Sequence, residues 1–151
     1  MTEVLSRRRL NRATLARQYL LERAPASAVD AIEHLAGMQS QAPLAPYIGL
    51  WTRLCDFDPH ELSTLTEQRD VVRLHLMRNT VHLVSARDSL AWRAVFYPLH
   101  AAEFTTRFRT GTATVDRQAL LRQAKQLLEE KPRTRAELGV KGQDEVLSGG
   151  L

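Results

Sequence analysis

Cysteine is almost missing from this sequence: Cys55 is the only one in 151 residues. That excludes a disulfide framework and any cysteine-based zinc cluster. Cys55 falls on an apolar helical stripe with Leu44, Ile48 and Trp51, so a buried structural thiol is expected there. Trp51 and Trp92, each on a helical stripe, are expected in the core rather than as base-stacking platforms. Long apolar runs are missing too. Nothing approaches the roughly 20 residues that span a bilayer, so no membrane role is expected. The first nine residues carry Glu3 and Arg7, Arg8 and Arg9 where a signal peptide has its apolar stretch, which points to a cytoplasmic protein. Lysine is scarce as well: Lys125, Lys131 and Lys141 are the only ones among 21 basic residues, so the other 18 are arginine.

Arginine is what the chain has instead, and it is unevenly placed. Arg7, Arg8, Arg9, Arg12, Arg17 and Arg23 crowd the start, opposed locally by Glu3 and Glu22. The planar guanidinium fork suits bidentate contact with phosphate. The patch is either a solvated helix face or a polyanion site; in the second case nucleic acid is the natural partner, which would put the protein on double-stranded DNA at the nucleoid. An apolar content of 44% with 25% charged residues is that of an ordinary globular protein.

Apolar periodicity predicts a first helix through Leu10, Ala13, Ala16 and Leu20, stopped by Pro25. Ser27 caps a second, whose inner face is Val29, Ile32, Leu35 and Ala36, with Gly37 in the left-handed position after it. The stripe Leu44, Ile48, Trp51, Cys55 predicts a third. Asp58-Pro59-His60-Glu61 is a capping signature for a short helix burying Leu62 and Leu65. Val72, Leu74 and Leu76 alternate with Arg73 and His75, and Val81 and Leu83 return. The result is one hairpin turning at Met77–Thr80, with Asn79 at positive φ and no strand before residue 60. Ser85 caps a long helix through Leu90, Ala91, Ala94 and Val95, kinked at Pro98. Residues 110–114 look like a linker. Leu120, Leu121, Ala124, Leu127 and Leu128 mark a further helix, and Thr134 with Glu137 forms another capping box.

This order predicts a mainly α protein with a small β-hairpin, an α+β winged helix-turn-helix that is the first of a tandem array. Residues 5–110 form the winged-helix domain, 115–138 begin a second, incomplete one, and 139–151 are an irregular tail.

Gln39 and Gln41 are the most suggestive polar pair. In an extended segment, residues two apart point to the same side, and Pro43 biases residue 42 toward extended backbone. Both carboxamides can then converge on one small volume, or they cap backbone groups and face water.

The run Leu35-Ala36-Gly37-Met38-Gln39-Ser40-Gln41-Ala42-Pro43, followed by Pro46 to Leu54, resembles the AlkZ-like winged-helix DNA glycosylases. So does Leu76-Met77-Arg78-Asn79-Thr80-Val81-His82-Leu83-Val84-Ser85-Ala86-Arg87-Asp88, and so does the stretch from Asp116 to Leu138. The resemblance implies a monofunctional glycosylase that excises alkylated purines and unhooks crosslinks, with Gln39 and Gln41 as its catalytic pair. It implies no metal or organic cofactor and no obligate protein partner. Phosphate contacts are expected from Arg7, Arg8, Arg9, Arg12 and Arg78, with His82 on the hairpin beside them. The middle of the family's Gln-x-Gln motif is usually apolar and is Ser40 here. Family members run well over twice this length, and the resemblance stops near Gly139. The expectation is therefore a truncated chain that binds DNA weakly and excises nothing without its missing C-terminal part. The alternative is a non-catalytic winged-helix regulator, which would normally bring a dimerisation or ligand domain; none is visible.

Overall fold

The computed structural model describes residues 4–107, 116–134 and 136–139. The chain divides into two compact units, with the boundary between Glu103 and Phe104. The first unit runs α1 (Arg7–Arg17), α2 (Ala28–His34), β1 (Met38–Gln39), α3 (Ala45–Trp51), α4 (Pro59–Gln68), β2 (Val71–His75) and β3 (Val81–Ser85). The helix α5 (Ala86–Arg107) crosses the boundary, and α6 (Arg117–Glu130) belongs to the second unit. Mainly helical with a small antiparallel sheet, the fold is α+β as expected.

The sheet departs from expectation. It has three strands in the order β1-β3-β2, both pairings antiparallel. Met38 faces Leu83 and Gln39 faces His82 across β1 and β3, while β2 pairs with β3 from Val71–Ser85 to His75–Val81. The expectation of no strand before residue 60 is thus wrong. A two-residue strand carries no period of its own and exists only because β3 offers it an edge. Central position also explains why β3 does not alternate: His82, Leu83, Val84 and Ser85 are all buried.

Local chemistry sets most helix ends. Ser27 accepts from the Asp30 amide at 3.1 Å, Asp58 from His60 at 2.9 Å, and Ser85 from Asp88 at 3.2 Å. Each satisfies one of a helix's orphan donors. The Glu61 carboxylate, expected to close its own capping box, instead accepts from the Ala28 amide at 2.8 Å and so ties α4 to the start of α2. The hairpin turns through Met77–Asn79, with Arg78 as well as Asn79 in the left-handed region at φ 53.

The core gathers Ile32 from α2, Leu50 and Leu54 from α3 and the turn after it, Leu62 from α4, Val71 from β2 and Leu83 from β3. Each side chain of this kind contributes roughly 1.5–3 kcal/mol when fully buried. Two helices bury the opposite face from the one expected. On α3, Pro46, Leu50 and Leu54 go inside, while Leu44, Ile48 and Trp51 are 69%, 62% and 57% exposed. Cys55 is exposed too, donating its thiol to the Arg23 carbonyl at 3.3 Å, and Arg23 lies 5.0 Å over the Trp51 ring. On α5, Leu90 and Val95 are exposed, and the inner ridge is Trp92, Phe96 and His100, with Trp92 tilted against Phe96 and Phe96 stacked on His100. His100 bonds the Leu76 carbonyl at 2.8 Å, and α5 runs on through Pro98. The first helix ends at Arg17, before Leu20, and buries none of its residues. Its C-terminus is fixed by His34, which bonds the Arg17 carbonyl at 2.8 Å and stacks on Tyr19.

In the second unit, Asp116 caps α6 through the amides of Gln118 and Ala119. Leu120, Leu121 and Leu128 lie on its expected stripe and are about half exposed, while Ala124 and Leu127 are partly buried. The Thr134–Glu137 capping box forms reciprocally, with the Glu137 amide donating to the Thr134 hydroxyl and the Thr134 amide to the Glu137 carboxylate. That carboxylate also accepts from the Thr134 hydroxyl, and these bonds hold its pKa below the ordinary glutamate value. The linker expected at 110–114 and the tail beyond Gly139 lie outside the described residues. Among the described residues, no helix is long and apolar enough to cross a membrane, and no group of three His, Cys, Asp or Glu side chains converges.

Candidate functional site

The site is built around Gly37-Met38-Gln39-Ser40-Gln41. Helix α2 ends with Ala36 and Gly37 both at positive φ, 55° and 100°. At Gly37 a Cβ would stand 2.7 Å from Val84 Cγ1, so only glycine lets the chain turn this close to β3. The segment is then held from three sides. Met38 is buried in the core, with its methyl against Gly49 of α3. The Ser40 amide donates to the Val81 carbonyl at 2.7 Å, and the Ser40 carbonyl accepts from Arg73 of β2.

Burial alternates along this segment: Met38 in, Gln39 out, Ser40 in, Gln41 out. The two glutamine side chains therefore share the exposed side and meet, with Gln39 Nε2 donating to Gln41 Oε1 at 2.5 Å. Of the two arrangements the spacing allowed, convergence is the one present. The contact also decides what the pair presents. One amide hydrogen and one carbonyl oxygen are used internally, which leaves Gln39 Oε1 as acceptor and Gln41 Nε2 as donor. Ser40 points the other way, fully buried, and its hydroxyl finds no partner.

The remaining sequence candidates are spread over the unit. Arg7, Arg8, Arg9 and Arg12 are exposed on α1, where the first turn holds no acid. Arg78 is exposed at the hairpin tip. His82, expected at the DNA surface with the arginines, is instead 5% exposed, directly across from Gln39 on β3, and its Nδ1 pairs with the Thr80 carbonyl at 2.9 Å.

Two arginines beside the pair were not singled out from the sequence. Arg73 sits on the strand face that alternation marked only as polar, and its grip on the Ser40 carbonyl depends on a partner 33 residues away. Arg53 lines a cavity of about 300 Å³ together with Gln39, Gln18, Gly37 and Gly49. Its membership of the Pro46–Leu54 run was the available signal.

A family described as DNA glycosylase AlkZ-like matches the chain over residues 32–148. No curated protein and no solved structure matches. The family match continues past Gly139, where the resemblance was expected to stop, and it covers both glutamines, Arg53, Arg73, Arg78 and His82. The arginines of α1 lie before it. Because the match spans well over half of the chain and includes the whole Gln39–Gln41 segment, this chain belongs to the AlkZ-like DNA glycosylase family.

Proposed function

We propose that the first unit is a winged helix that binds double-stranded DNA, and that Gln39 and Gln41 form the base-excising pair of a glycosylase acting on alkylated purines. The observation that carries this is the meeting of the two carboxamides on the exposed side of a segment pinned on its other side. The order helix–strand–helix–helix–hairpin, with the short strand added beside β3, favours the winged helix. Arg78 at the hairpin tip and Arg7, Arg8, Arg9 and Arg12 on α1 supply phosphate contacts. Arginines in a helix's first turn oppose its dipole, an arrangement that suits a helix whose charge meets phosphate rather than one selected for stability.

A neutral carboxamide cannot take a proton at ordinary pH, so neither glutamine is a general base. An N-alkylated purine does not need one. It already carries a positive charge, and breaking the C1′–N bond returns that electron pair to the base and neutralises it. Gln39 Oε1, oriented by Gln41, holds the attacking water and turns its carbonyl dipole toward the oxocarbenium ion that develops at C1′. The water oxygen bonds to C1′ and its proton is lost to solvent. No step here calls on a cofactor.

The regulator reading would place α4 in the major groove for base readout. That helix, Pro59–Gln68, contains no arginine or lysine and carries Glu61 and Glu67, which disfavours sequence reading and leaves lesion processing as the better account. The test is single-turnover release of 7-methylguanine from duplex DNA. It is run on this chain and on the chain joined to the C-terminal part of a longer family member. Excision lost in Gln39→Ala and in Gln41→Ala, with duplex affinity retained, supports the proposal. Normal excision without either glutamine overturns it.

A further inference from the structure

Among the described residues, Arg53 is a cation without an anion. Its backbone is fixed, the amide donating to the Leu50 carbonyl at 2.9 Å and the carbonyl accepting from Ala24 at 2.7 Å. Its Nη1 donates to the Gly49 carbonyl at 2.9 Å and to the Thr52 hydroxyl at 3.3 Å. Nη2 makes one long bond, 3.4 Å, to Gln18 Oε1, and Nε is enclosed with no partner. Among the described residues no carboxylate pairs with it, and burial pushes its pKa down. A guanidinium that merely capped the α3 carbonyl would use Nη1 and leave its other edge to solvent. Here Nε is closed off and unpaired, Nη2 has the long Gln18 bond, and the side chain lines a cavity of about 300 Å³. Nε–H and an Nη2–H together form the side-on fork that matches two oxygens of a phosphate.

We propose that this cavity is an anion site in which Arg53, with Gln18 beside it, takes a DNA backbone phosphodiester next to the nucleotide presented to Gln39. The proposal rests on the glycosylase reading for the identity of that nucleotide, but not for the anion site itself. Because Nε is enclosed, the side chain must turn for both N–H groups to reach the phosphate, and Gln18 then donates its amide to the same group. Gln39 lines the same cavity, so the held phosphate fixes how far the sugar carbon lies from Gln39 Oε1. Arg53 is in this account a binding and positioning residue.

The test is fluorescence-anisotropy binding of this chain to a duplex carrying a tetrahydrofuran abasic analogue, measured against salt and needing no excision. Arg53→Gln should weaken binding about tenfold and lower the log–log salt slope by about 0.9, the loss of one phosphate contact. Arg53→Lys should keep the slope and recover part of the affinity, because the charge remains and the fork does not. Unchanged affinity and slope in Arg53→Gln overturn the site. A fall in Tm matched by equal losses in Arg53→Gln and Arg53→Lys overturns it too, assigning Arg53 to packing. Inorganic phosphate at constant ionic strength should compete weakly. Tight competition by it would overturn the DNA assignment in favour of a free-phosphate site. An intact slope effect with normal excision in Gln39→Ala would leave the anion site standing and the glycosylase reading refuted. The reverse pattern would refute the anion site alone.

Discussion

Replacing Ser40 by alanine should stabilise this protein, although the residue sits between the two glutamines of the site. The side chain is fully buried, and its hydroxyl has no hydrogen-bond partner. A buried polar group left unpaired costs about 1–3 kcal/mol. Against that, Ser40→Ala forfeits the van der Waals contacts of one oxygen, each about 0.1–0.2 kcal/mol. The balance is a gain on the order of 1 kcal/mol, or roughly 4–8 °C in Tm for a unit of about 100 residues. Valine should gain more, since the apolar cavity next to Ser40, lined by Leu62 and Leu83 among others, has room for its methyls. Thermal and urea unfolding of the three proteins would measure this. The glutamines should be unaffected, because they lie on the other side of the segment. A lower Tm in Ser40→Ala would refute the reasoning, since it would mean the hydroxyl is satisfied.

Gly37→Ala should destabilise by about 1–3 kcal/mol, the cost of strained backbone, since φ is 100° and the new Cβ would press on Val84; an unchanged Tm would contradict this. Replacing Arg7, Arg8 and Arg9 together by alanine should flatten the salt dependence of duplex binding by about 0.9 for each phosphate no longer neutralised, without lowering Tm, because α1 buries nothing. A slope indifferent to these arginines would remove α1 from the interface. For Glu137 the folded pKa lies below the ordinary glutamate value, chiefly through the Thr134 amide and then its hydroxyl. Its cap therefore stabilises the helix start above the ordinary glutamate range and is lost as pH falls through the depressed value. An NMR titration placing Glu137 at or above an ordinary glutamate would contradict the cap.

What the sequence made legible is chemistry that acts over a few residues. The caps at Ser27, Asp58, Ser85 and Thr134 each join a side chain to a backbone amide two or three residues on, and the glycine after α2 and the turn at Asn79 follow from the left-handed backbone each residue tolerates. The glutamine pair belongs with them, because two residues in extended backbone are neighbours by geometry. Distant partners were not legible. Glu61 could equally have closed its own box, and only the fold brings it to Ala28. On α3 and α5 both faces are apolar, so periodicity could not separate Leu50 and Leu54 from Leu44, Ile48 and Trp51, or Trp92 and Phe96 from Leu90 and Val95. Strand β1 is too short to show a period, and β3 is covered on both faces. Arg53 looked like any surface arginine until α1's end, α3 and β1 were brought together around it.

The measurement that tests the central claim most directly is a double-mutant cycle at Gln39 and Gln41. Its readout is single-turnover release of 7-methylguanine by the chain joined to the C-terminal part of a longer family member. In the proposed mechanism the two carboxamides act as one unit, Gln41 orienting Gln39 through their hydrogen bond. Each alanine variant should therefore slow release by about 100-fold or more, the loss of one preorganised contact to developing charge. The double variant should be scarcely slower than the worse single one, as for residues that work together. Strictly additive losses would contradict the coupling, and normal release by the double variant would contradict the assignment of these glutamines to catalysis.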